Sequence, residues 1–231
     1  MFLIVKRKSL WITTLALVIL CILIGGVSGA VIASPINKKV IVIDAGHGGS
    51  DGGVSGVKSG VTEAEINLLV SFTLKTELED LGYKVVMTRD KKSLLQGEEK
   101  GKSADMHKRK AIIEANSPDI VISLHCNKFP QTDRRGAQVF FNASSKQGAE
   151  LCKALQHSLN TLNDEYVGRS FNALKGDYFI LNCTDAPSAI IECGFLSNPQ
   201  DEELLLTPSY RTEIAKKIAL GIGAYFAELY V

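Results

Sequence analysis

The chain has 231 residues with 26 Lys+Arg against 25 Asp+Glu, and 45% of its residues are hydrophobic against 22% charged. At ~150 residues per domain this reads as one domain with an appendage, and the composition excludes a disordered or collagen-like chain. A formal charge of +1 argues against coating a polyanion, so no nucleic-acid partner is expected.

Lys6, Arg7 and Lys8 precede a stretch from Ser9 to Asn37 that holds no charged residue. Within it Leu10 to Ile32 is apolar and, at ~1.5 Å per residue, long enough to cross the ~30 Å hydrocarbon layer as a helix. Basic residues stay on the cytoplasmic side, which places the N-terminus inside and residues 38 onward outside. Val31-Ile32-Ala33 ahead of Ser34-Pro35 offers a small-residue cleavage site. Residues 1–33 are therefore a retained membrane anchor or a removed signal peptide, 34–39 a linker, and 40–231 the folded body. Cys21 follows the bulky Leu20, which speaks against a lipoprotein. Export permits disulfides, but Cys126, Cys152, Cys183 and Cys193 show no C-x-x-C spacing and are expected as buried thiols.

Short runs rich in Val and Ile then alternate with helical patterns, which predicts an α/β domain: a mostly parallel, twisted sheet covered by helices on both faces. The strand candidates are Val40 to Ile43, Tyr83 to Thr88, Ile120 to Leu124, Gln138 to Phe141, Tyr178 to Leu181 and Ala189 to Ile191. The first helix carries Ile66, Leu69, Val70, Leu74, Leu78 and Leu81 at helical spacing and is closed by Gly82. Thr62-Glu63-Ala64-Glu65 fits a capping box in which Thr62 caps and Glu65 reaches back, leaving Glu63 free. Further helices fit Asp105 to Ala115, Lys146 to Leu162 and Ser209 to Leu229, the last with Ile214, Ile218, Ile222, Tyr225 and Leu229 on one face.

His47 follows the first strand in Asp44-Ala45-Gly46-His47-Gly48-Gly49, His125 follows the third, and Glu192 follows Ala189-Ile190-Ile191. In an open parallel sheet the carboxyl ends of the strands share the edge that lines the ligand crevice, so these side chains are expected to converge. The glycines do not make a nucleotide loop: Asp51 occupies the last position of G-x-G-x-x-G, and no Gly-Lys-Ser/Thr follows. Two imidazoles, one carboxylate and a fourth position for water form a catalytic Zn²⁺ pattern. The carboxylate candidates are Glu63, Glu65, Asp44, Asp51 and Glu192. Glu63 stands at the mouth of the first helix, unused by the cap. There is no H-E-x-x-H. His107 and His157 fall within helical patterns and are expected at the surface.

The stretches Val42-Ile43-Asp44-Ala45-Gly46-His47-Gly48-Gly49 with Asp51, Glu63-Ala64-Glu65-Ile66-Asn67-Leu68, Thr88-Arg89, Ser123-Leu124-His125-Cys126-Asn127 and Ile191-Glu192-Cys193-Gly194-Phe195-Leu196-Ser197-Asn198 together resemble a known family. They are similar to the zinc-dependent N-acetylmuramoyl-L-alanine amidases of the amidase-3 type, and within them to the germination-specific, spore-cortex CwlD group. The resemblance runs from about Val40 to the C-terminus. It implies one catalytic Zn²⁺ held by His47, Glu63 and His125, Glu192 as the catalytic carboxylate, and peptidoglycan as substrate.

The implied physiology is spore-cortex maturation at the extracytoplasmic face of the membrane, between the forespore membranes of a sporulating cell. The alternatives are a vegetative autolysin of the same chemistry and a wall-binding protein with a dead site. The length leaves no room for a wall-binding module, which leaves a place for an accessory protein partner. Asp44 and Asn127 are candidates to orient the ligating histidines, or else to close their own turns. Arg109 and Arg169 are candidates to meet stem-peptide carboxylates, or else solvated surface residues. Two departures stand out: Cys126 where many relatives have Ala, and Asn182 where an Arg often follows the strand before the last motif.

Overall fold

The computed structural model describes residues 38–90 and 101–229. The apolar segment from Leu10 to Ile32 lies outside them. Among the described residues no helix is long and apolar enough to cross a membrane.

Six strands form one sheet: β1 (Val40–Ala45), β2 (Lys84–Met87), β3 (Ile120–Asn127), β4 (Gln138–Phe141), β5 (Leu174–Lys175) and β6 (Ser188–Phe195). Their order is β2-β1-β3-β6-β4-β5. β2, β1, β3 and β6 run parallel. β4 meets β6 antiparallel, and β5 follows β4 in parallel. The central strands are apolar on both faces because both are covered. Ile41, Ile43, Ile120, Ile122, Leu124, Ala189 and Ile191 join one core, while Val42, Val121 and Ile190, pointing the opposite way by the strand alternation, join a second.

Over the first core pack α1 (Glu63–Asp80), α3 (Lys146–Tyr166) and α6 (Pro208–Glu228), through Val70, Leu74, Leu78, Leu155, Leu159, Ile214, Ile218 and Ile222. Gly221 lets α6 approach α3 closely: a Cβ there would stand 2.9 Å from Leu155 Cα. Over the second core lie α2 (Lys102–Asn116) and the short α4 (Phe179–Asn182), through Ile113, Ile180 and Leu181. The α1 stripe is narrower than predicted, since Leu69 and Leu81 are exposed, as is Leu229 beyond the end of α6. Cys126, Cys152, Cys183 and Cys193 are buried thiols.

Two elements differ from the sequence expectation. Tyr178 to Leu181 is not a strand: Phe179–Asn182 is the single turn α4, and the neighbouring strand is the two-residue β5. A four-residue apolar run does not distinguish the two by periodicity. Ile180 and Leu181 are both buried in the same core, as consecutive residues of a turn can be and those of a half-covered strand cannot. The unpredicted helix α5 (Pro199–Leu206) starts at Asn198, whose side chain accepts from Gln200 N and Asp201 N, with proline in its first turn.

Candidate metal centre

β1 ends at Ala45, and the chain continues beside β3 through a Gly46 N–H to Leu124 carbonyl bond of 3.0 Å. Gly46 is required there, because a Cβ would fall 2.3 Å from the His125 imidazole. His47 then takes a left-handed backbone with φ of 60°, and a tight turn follows in which Gly48 and Asp51 exchange backbone hydrogen bonds at 2.8 and 3.0 Å. β3 and β6 run further than predicted, so His125 and Glu192 lie within strands. They are register partners across the parallel pair, which puts their side chains side by side on the α2 and α4 face.

Glu63 enters from the N-terminal turn of α1, where the predicted capping box is present between Thr62 and Glu65. Its Oε1 lies 2.9 Å from His125 Nδ1 and 3.3 Å from His47 Nε2, and accepts the Cys126 N–H at 3.1 Å. Its Oε2 accepts the Val54 N–H at 3.0 Å. The two imidazoles stand edge to face, centroids 5.0 Å apart. One donor atom from each of His47, Glu63 and His125 lies within 4.8 Å of the others. Two imidazoles and a carboxylate in this proximity suit a divalent cation of the Zn²⁺ type with one position left open. Asp51 Oδ2 lies 2.9 Å from His47 Nδ1, on the outer side of that ring.

The electrostatics separate the carboxyls. Burial would raise Glu63, but its contacts with His125 and His47 outweigh that and hold it well below the ordinary carboxylate range. His47 is raised in turn, chiefly by its bond to Glu63 and against the effect of burial. Glu192 goes the other way: burial, with the Glu63 charge adding and His125 opposing, pushes it up to about 7. Its buried Oε2 has no hydrogen-bond partner among the described residues, an orphan atom beside the three clustered donors. A carboxyl poised near neutrality in a cleft is what a general base needs.

His47, His125 and Glu192 open onto a cavity of about 350 Å³. Asp51, His47, His125 and Glu192 are among its polar lining residues, and Met106, Phe179, Ile180 and Ile190 among its apolar ones. His107 and Phe179 stack edge to face at 5.6 Å, joining α2 to α4.

The remaining candidates fall in different places. Asp44 is buried, accepting from Thr88 Oγ1 at 2.7 Å, Ser123 Oγ at 2.7 Å and Arg109 at 2.6 Å. Asn127 Oδ1 accepts the N–H of the next residue, Lys128, at 2.8 Å. Arg169 is exposed and lies over the Phe171 ring. Arg109 is not at the surface: it is 0% exposed, because Asp44 and Asp105 neutralise it inside the fold. Asn182, expected after a strand, ends α4 and bonds Asn142, Asp177 and the Tyr178 carbonyl. Arg89, singled out only within a motif, donates to the carbonyls of Ala45, Gly46 and Ala64 at 2.8, 3.0 and 2.8 Å. His107 and His157 are exposed, as expected.

Residues 41–224 match the Amidase_3 family, N-acetylmuramoyl-L-alanine amidase. The chain belongs to this family. As a member it is an N-acetylmuramoyl-L-alanine amidase, in agreement with the resemblance in its motifs. The amidase is 35% identical over 199 residues to the germination-specific N-acetylmuramoyl-L-alanine amidase of Bacillus subtilis, covering 84% of this chain and 82% of that relative. It is 28% identical to the N-acetylmuramoyl-L-alanine amidase AmiC of Neisseria meningitidis, over 81% of this chain and 53% of AmiC. Among solved structures it is similar to the CwlD amidase from Clostridioides difficile in complex with the GerS lipoprotein. That similarity is 33% identity with a TM-score of 0.75, covering 83% of this chain and 100% of that one.

Proposed function

We propose that this amidase is exported, with residues 1–33 as membrane anchor or signal peptide, and acts on peptidoglycan. With Zn²⁺ as cofactor it hydrolyses the amide between the lactyl group of N-acetylmuramic acid and L-alanine of the stem peptide. The observation that carries the reading is the meeting of His47, Glu63 and His125 beside Glu192.

His47, Glu63 and His125 would hold the Zn²⁺, which when bound supplies a Lewis acid and brings the pKa of water toward ~7. Glu192 accepts the proton of the attacking water and returns it to the leaving L-alanine amine, as base and then acid. Met106, Phe179, Ile180 and Ile190, which line the same cavity as Glu192, limit its water.

The similarity to a germination-specific amidase and to CwlD supports spore-cortex maturation, with the product carried on to muramic-δ-lactam. The CwlD structure holds a lipoprotein, which supports an accessory lipoprotein as partner here. The test incubates the full-length protein with cortex and vegetative peptidoglycan, with and without chelator, and weighs the products. Free stem peptides with an L-alanine amine, and glycans with intact lactyl groups, are expected only without chelator. Cleavage inside the peptide, or cleavage indifferent to chelator, would overturn the reading.

A further inference from the structure

We propose that Arg109 is the positioning residue for His47, fixing the loop that presents this imidazole and thereby setting metal affinity; the inference rests on the metal-centre reading above. His47 has a left-handed backbone, which a non-glycine residue keeps only where its surroundings over-determine it. Those surroundings are two guanidinium groups. Arg109 donates through Nη2 to the His47 carbonyl at 2.7 Å and through Nη1 to the Ala45 carbonyl at 2.8 Å. Arg89 takes the carbonyls of Ala45 and Gly46, and that of Ala64 in the first turn of α1. Three successive carbonyls therefore turn toward arginine, while the His47 ring reaches Glu63 on its other side. Arg109 is the one that bonds the His47 carbonyl itself among the described residues.

The guanidinium is in turn aimed from two directions. Asp44, at the end of β1, holds Nη1 at 2.6 Å, and Asp105, one turn earlier on α2, holds Nε at 2.7 Å. With both carboxylates in place Arg109 stays charged, burial notwithstanding, and is raised rather than lowered. A planar fork serves these separate acceptors at once; the ammonium of lysine offers its donors from one point and cannot. Arg109→Lys keeps the charge balance and removes the geometry, which separates positioning from mere pairing. Groups that orient metal ligands in this indirect way typically govern affinity ten- to a hundredfold.

The experiment titrates metal-free, full-length protein with Zn²⁺, records the visible spectrum of the Co²⁺ form, and follows thermal melting. Wild type, Arg109→Lys and Arg135→Lys are compared. Arg135 pairs with Asp201 at 3.0 Å, a link between the loop before β4 and the first turn of α5, and serves as control for loss of an ordinary ion pair. Arg109→Lys is expected to bind Zn²⁺ about ten- to a hundredfold more weakly with an altered Co²⁺ spectrum. Arg135→Lys is expected to keep wild-type affinity and spectrum, whatever its melting temperature. Wild-type affinity and spectrum in Arg109→Lys would overturn the positioning role. A wild-type protein that takes up no Zn²⁺ would instead overturn the metal-centre reading. Should Arg109→Lys not fold, Asp105→Asn loosens the Nε anchor with Arg109 in place. Several-fold weaker Zn²⁺ binding is then expected, and wild-type behaviour there overturns the proposal.

Discussion

Replacing Glu192 by glutamine should cost activity and add stability, and the two effects have one cause. The carboxyl, on β6 opposite His125 of β3, has one buried oxygen with no hydrogen-bond partner among the described residues, and burial raises it from 4.5 to about 7. At ~1.36 kcal/mol per pH unit that is a penalty of about 3 kcal/mol for carrying it ionised in the folded state. The folded state binds its proton more tightly than the unfolded state does, so stability falls as pH rises from about 4.5 to about 7 and stays low above. Glu192→Gln is isosteric and cannot ionise, so in metal-free protein its advantage over wild type should be small near pH 5 and approach about 3 kcal/mol near pH 8. Other shifted groups, Glu63, His47 and Asp44, are common to both proteins and largely cancel in the difference. Urea unfolding of the two proteins at both pH values measures it. With metal restored, the variant should bind Zn²⁺ as wild type does yet lose ~10²–10⁴-fold in amide cleavage. A stability difference that does not change with pH would refute the burial account of Glu192, and undiminished cleavage would refute its role as base.

His47→Ala and His125→Ala should each lose bound Zn²⁺, as metal analysis of the desalted protein would show. Chelation of wild type should abolish cleavage until Zn²⁺ is returned. Added Zn²⁺ at ~100 times its Kd should stabilise the metal-free protein by about 2.7 kcal/mol, and an unmoved melting temperature would speak against a site. Gly46→Ala places a methyl 2.3 Å from the His125 ring and should eliminate Zn²⁺ binding with a near-wild-type circular dichroism spectrum; retained binding would contradict the close approach. Gly221→Ala drives a methyl to 2.9 Å from the Leu155 backbone and should cost about 1 kcal/mol or more in denaturant unfolding, although alanine is the better helix former. A stabilised variant would show that α3 and α6 yield there.

Features carried by local chemistry were legible in the chain, and features made by distant partners were not. The capping box spans four residues, so Thr62 and Glu65 could be assigned to it and Glu63 set apart from it, and the structure places Glu63 against both imidazoles. That His47 and His125 come to one edge followed from Val- and Ile-rich runs and the shared edge of a parallel sheet, although β3 runs on through His125. Arg109 was opaque: in the sequence it is one basic residue in a polar helix, and what buries it is Asp44, on another element. Asp44 read equally as a partner for histidine or as a turn closer, and it accepts from Arg109, Thr88 and Ser123. The α4 turn was opaque for a different reason, since four apolar residues carry too little periodicity to separate helix from strand. By contrast α5 had a signal that could have been read, because Asn198-Pro199 is a helix start of cap followed by proline.

The central claim is that His47, Glu63 and His125 hold one ion beside Glu192. Diffraction from crystals of the Zn²⁺-loaded protein on both sides of the zinc absorption edge tests it most directly. A single anomalous peak bounded by those three side chains, with Glu192 facing its open side, is the predicted result. A peak elsewhere, or no peak with the two imidazoles turned apart, would contradict it.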